Sequence, residues 1–136
     1  LSSEYIFIIA SIVAIFSILT IFKIQLEKLK ANPENMQKIQ LTFFIGIAIA
    51  ELIPVILLFY GIMNITPVAA LSELYVPAFV ILAVMAFGSF FVYLQTKADV
   101  SEDAKNLVTS FAFVANAVAM SIPIISLVGL FMMLPK

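Results

Sequence analysis

The sequence predicts an all-α membrane protein of four transmembrane helices, arranged as two tandem helical hairpins, and three observations carry that prediction. Of the 136 residues, 64% are hydrophobic and 11% charged, with a mean hydropathy of +1.20, beyond what a water-soluble domain reaches. Four apolar segments, Tyr5–Phe22, Leu41–Met63, Val76–Tyr93 and Leu107–Leu134, contain no Lys or Asp and a single Glu. Each is near the roughly 20 residues that carry a helix across a hydrocarbon core of about 30 Å. The third observation is a repeat: GIAIAELIP at Gly46–Pro54 overlays ANAVAMSIP at Ala115–Pro123 at an offset of 69 residues, with two Ala and the terminal Ile-Pro in common. Residues 1–68 therefore read as one hairpin and 69–136 as a second in the same orientation.

The elements follow in order. The first segment begins after Glu4, with no basic leader before it and no A-x-A-like cleavage site after it, so it is expected to remain in the mature chain. A lysine-containing connection leads to Asn32 and Pro33, a cap residue followed by proline at the first helical position, which opens the second helix. Pro54 lies inside that helix and removes one backbone hydrogen bond, so a bend three residues after Glu51 is expected. Asn64–Tyr75 turns the chain back without a lysine. The third helix combines Ala83, Ala86 and Gly88 with the bulky Phe87, Phe90 and Phe91. Asp99, with Glu102 three residues later, reads as a capping box for the fourth helix. There Pro123 repeats the expected bend after Met120.

Charge sets the orientation. Lys23, Lys28, Lys30 and Lys38 surround the first connection and Lys97 and Lys105 the third, while only Lys136 falls on the other side. The positive-inside bias then puts both termini outside and those two connections in the cytoplasm. Tyr5, Tyr60, Tyr75 and Tyr93 lie towards the ends of the apolar spans, where an interfacial belt is expected. A net charge of −1 with no arginine argues against nucleic-acid binding. The absence of Cys and His removes thiolate chemistry and the commonest metal ligand, so no metal site and no cofactor is expected. No nucleophile–base pair or phosphate loop occurs, and no catalytic residue is assigned.

Glu51 is the one charged residue in Leu41–Met63. At about 1.5 Å per residue it lies roughly 15 Å beyond Leu41, near the bilayer midplane. An ionised side chain there costs at least about 2.5–3.5 kcal/mol, and such residues are usually functional. An ion- or proton-carrying role is the leading reading. A protonated Glu serving as a polar packing contact is the plain alternative.

The stretch Asn32–Pro54, NPENMQKIQLTFFIGIAIAELIP, resembles the loop and second helix of subunit c, the proteolipid of the rotor ring of F-type ATP synthases. The shared features are the loop proline, a carboxylate eighteen residues later (Pro33 to Glu51), Phe44-Ile45-Gly46 ahead of it, and Pro54 three residues after it. The likeness covers about a quarter of the chain, and the duplicated form is similar to four-helix vacuolar-type rotor proteolipids. It implies a homo-oligomeric ring in lipid, with Glu51 as the proton-binding group. It also implies a stator subunit that supplies a cation and soluble central-stalk subunits as partners. The setting it implies is a bacterial plasma membrane or an energy-transducing organelle membrane. The first and third helices would line the inner wall and the acid-bearing helix the outer one. Sodium-binding members need further oxygen ligands; Leu52 and Ile53 follow the acid, so protons are favoured, with Ser17, Asn116 and Ser121 as the supporting polar residues.

The chain departs from the family in two places. Val13, Ile15, Ser17, Leu19 and Ile21 stand where subunit c has a run of small residues, and Ala31 stands where it has the loop arginine. These departures carry the second reading, a c-derived membrane anchor or assembly subunit that no longer translocates ions. A small channel or holin-like pore would need a polar stripe, and only scattered Ser, Thr and Asn are present.

Overall fold

The computed structural model describes residues 2–98 and 100–135. Its helices are α1 (Ser3–Ala31), α2 (Met36–Ala50), α3 (Leu52–Met63), α4 (Tyr75–Lys97) and α5 (Lys105–Phe131), with single 3₁₀ turns at Pro33–Asn35 and Leu71–Leu74. The described residues contain no strand. Ile and Val are indifferent helix formers in water, but a segment in hydrocarbon must satisfy every backbone group internally, which leaves the helix as the available form. α1, the run Leu71–Lys97 and α5 are each long and apolar enough to span a membrane, and α2 with α3 makes a fourth span if the two halves are one broken crossing.

α1 and α5 are the central pair. α1 packs on every other helix, α5 lies between α1 and α4, and α4 stays away from α2 and α3. The chain therefore forms two staggered rows, α1 with α4 and α2–α3 with α5. Corresponding helices of the two halves run parallel: the Phe43 and Phe111 rings meet at 4.8 Å, and Gly61 and Gly129 both abut Phe7. Two buried clusters fill the bundle, one around Phe22, Phe43 and Phe111 and one around Phe7, Leu58, Ile81 and Leu130.

The lysine-rich end is tied together by polar contacts. Lys23 bonds Glu27 at 3.0 Å and Gln95 at 2.6 Å, and Lys30 donates to the carbonyls of Gln95 at 2.8 Å and Ala98 at 2.7 Å. A cation at the exposed carbonyls of a helix C-terminus is favourable, so Lys30 both caps α4 and fixes it to α1. All four tyrosines are exposed, and the Lys97 ammonium lies 5.4 Å from the Tyr93 ring.

Two local expectations need adjustment, the Asn32 cap and the bend at Pro123, and a third lies outside the described residues. Asn32 makes no side-chain cap; it closes α1 instead, its N–H bonded to the Lys28 carbonyl at 2.9 Å. Pro33 does open the following turn, but α2 proper begins at Met36. The Asp99 cap falls outside the described residues, and at that helix start the Ser101 hydroxyl accepts the Ala104 N–H at 3.3 Å. The two internal prolines also behave differently. α2 and α3 meet at 41°, whereas α5 runs unbroken through Pro123. The lost bond and ring clash are the same at both prolines. The neighbours differ, since α5 is held between α1 and α4 while the α2–α3 limb rests mainly on α1.

Candidate functional site

The break between α2 and α3 is Glu51 itself, the residue between the two helices, at φ −80° and ψ −5°. Pro54 has no N–H to give the Ala50 carbonyl, and its ring crowds that same carbonyl, so the chain opens three residues before the proline. The Glu51 N–H still reaches the Ile47 carbonyl at 2.8 Å, and its own carbonyl accepts from Val55 at 2.9 Å. The hinge is therefore a fixed corner. The flanking residues Ile49, Leu52 and Ile53 are exposed and apolar.

Both carboxyl oxygens of Glu51 are sealed from solvent and have no hydrogen-bond partner among the described residues. Burying a polar group without a partner costs about 1–3 kcal/mol, so a native fold rarely keeps such an arrangement without a use for it. No lysine approaches from within the chain, since every described lysine stands at the far end, beyond Phe22 on α1, before Ile39 on α2, or in the third connection. Among the described residues no three His, Cys, Asp or Glu gather to hold a metal ion. What remains is a lone, enclosed carboxyl with neither a cation nor a metal-ligating group beside it among the described residues.

The supporting residues divide. Gly46 abuts Ile21 and Gly61 abuts Phe7, which brackets Glu51 at the level of Phe16 and Ser17, so half-buried Ser17 stands at the height of the acid. Asn116 is engaged elsewhere, its oxygen accepting from the Ser89 hydroxyl at 3.0 Å across α4 and α5. Ser121 gives its hydroxyl to the Val118 carbonyl at 2.6 Å. Pro54, wholly buried, acts through the hinge. Asn32 and Pro33 sit at the lysine-rich turn, roughly 25 Å along the helix from the acid.

Met120, the counterpart of Glu51 in the repeat, fills the α4–α5 contact beside Gly88 and takes a 3.7 Å contact from the Ser89 hydroxyl. The second half thus closes with a thioether where the first half holds a carboxyl. Ser89 was not singled out in the sequence, although a hydroxyl next to Gly88 on a helix otherwise apolar over Val76–Tyr93 was a usable signal. The chain matches no family model, no curated protein and no solved structure.

Proposed function

We propose that this chain is a c-like rotor-ring subunit of a proton-translocating rotary ATPase or ATP synthase, with Glu51 as the proton carrier. The observation that carries the reading is the partnerless, sealed carboxyl at a proline-made corner in the middle of an apolar limb. In this reading α2 and α3 are one broken crossing, the chain crosses four times as two parallel hairpins, and both termini face outside. The staggered rows suit repetition around a distant axis, because α1 and α4 make one wall while α2–α3 and α5 make the other. Ala83 and Ala86 are exposed on α4, as small residues awaiting a neighbouring inner helix would be.

In the cycle, neutral Glu51 travels through lipid. It ionises where a stator from another polypeptide supplies water and a cation, releases its proton on one side, and takes one up from the other. Proton movement therefore needs the assembled complex. The second reading, a membrane anchor derived from subunit c, is favoured by one observation: α1 and α4, the inner pair, meet through the Phe16 and Phe87 rings at 5.8 Å and not through small residues.

Glu51→Gln decides between them, because it keeps the shape and removes only the ionisation. With the variant incorporated in the native membrane complex, proton-coupled ATP hydrolysis is lost and assembly is retained. Intact coupling in that variant would hand the case to the anchor.

A further inference from the structure

At the lysine-rich end, α1 and α2 diverge around a cavity of about 180 Å³ lined by Gln25, Lys28, Asn32, Asn35, Lys38 and Thr42 over a floor of Ile39. Its chemistry is one-sided. Lys23 and Lys30 are engaged by Glu27 on the α4 side, whereas Lys28 and Lys38 have no carboxylate partner among the described residues. No acid lines the cavity; Glu34, in the turn above, is exposed and outside the lining. Gln25 is the telling residue. It is 6% exposed, makes no hydrogen bond to another described residue, and lines this cavity from α1, so its amide is available to a molecule held there. The side chains of Asn32 and Asn35 add two further amides with no partner among the described residues.

We propose that this cavity binds a phosphate-bearing anion, either the phosphodiester of an anionic lipid headgroup or free inorganic phosphate. Lys28 on α1 and Lys38 on α2 bring two ammonium groups to one cavity, and an anion between them meets both charges at once. The amides supply the neutral donors that phosphate oxygens require, and the lack of acids excludes a cation. In a chain whose apolar spans end here, the cavity stands at headgroup depth, where basic pockets between helices take anionic lipid. This site is independent of Glu51 and holds whichever role that residue has.

The test uses the full chain purified in neutral detergent, with lipid retention read by native mass spectrometry and thermal unfolding read by circular dichroism. Phosphatidylglycerol is compared with phosphatidylcholine, and inorganic phosphate is titrated alone. Preferential retention of phosphatidylglycerol assigns a lipid headgroup, while stabilisation by inorganic phosphate alone assigns the free anion. In either arm Lys28→Gln with Lys38→Gln weakens binding roughly ten- to thirtyfold, Gln25→Leu weakens it without changing net charge, and Lys28→Arg with Lys38→Arg retains it. The equally charged control, Lys97→Gln with Lys105→Gln, leaves it unchanged. Equal loss in both double glutamine variants, or no response to phosphatidylglycerol and phosphate alike, overturns the proposal.

Discussion

Replacing Glu51 by leucine should make the protein more stable. The structure supplies the magnitude: a neutral carboxyl brings one O–H donor and one carbonyl acceptor, and neither oxygen has a partner here. Each unsatisfied buried group costs about 1–3 kcal/mol, and leucine is near glutamate in volume, so no large cavity opens. A gain of about 2–6 kcal/mol follows. Glu51→Gln brings an amide with the same unmet demand and should change stability by no more than about 1 kcal/mol. The assay is reversible unfolding of the purified protein in mixed micelles, followed by circular dichroism. If Glu51→Leu were neutral or destabilising, the carboxyl would have a partner that holds the fold together. The reasoning from a functional, partnerless acid would then fail.

Other substitutions probe the frame that holds the hinge. A Cβ at Gly129 would stand 2.5 Å from the tip of the Phe7 ring, and Phe7 is fully buried, so Gly129→Ala should cost about 1–3 kcal/mol of unfolding free energy; adding Phe7→Leu should recover part of it. Lys30→Met removes the cation from the Gln95 and Ala98 carbonyls and should cost about 1–3 kcal/mol, with faster hydrogen exchange at the end of α4. Cysteines at Asn35 and Thr66, both exposed, should be labelled by impermeant reagents from opposite faces of the membrane; labelling from one face would remove α2–α3 as a single crossing.

The helices and the clustering of lysines were legible because they depend on local composition: apolar runs of crossing length, and charges confined to the connections. The acid was legible for the same reason, as one carboxyl in an otherwise uncharged run. The unequal fate of the prolines was not. Pro54 and Pro123 are alike in sequence, and only the packing of α5 between α1 and α4 shows why one helix breaks and the other does not. The seat of Phe7 between Gly61 and Gly129 joins residues more than 50 positions apart, a complementarity that no local pattern encodes. Asn116 reads in the sequence as a polar residue supporting the acid, yet its partner is Ser89 on the neighbouring helix. Nothing local marks Gln25, which follows Phe22 among the lysines, because its burial depends on where α2 returns across α1.

The most direct test of the central claim is labelling with a hydrophobic carbodiimide in membranes, read by peptide mass spectrometry. The reagent partitions into hydrocarbon and reacts with protonated carboxyl groups, so of the eight acidic residues Glu51 alone should be modified, with reactivity falling as pH rises and proton coupling of the assembled complex lost in proportion to labelling. An unmodified Glu51, or labelling spread over exposed acids such as Glu34 and Glu102, would contradict the account.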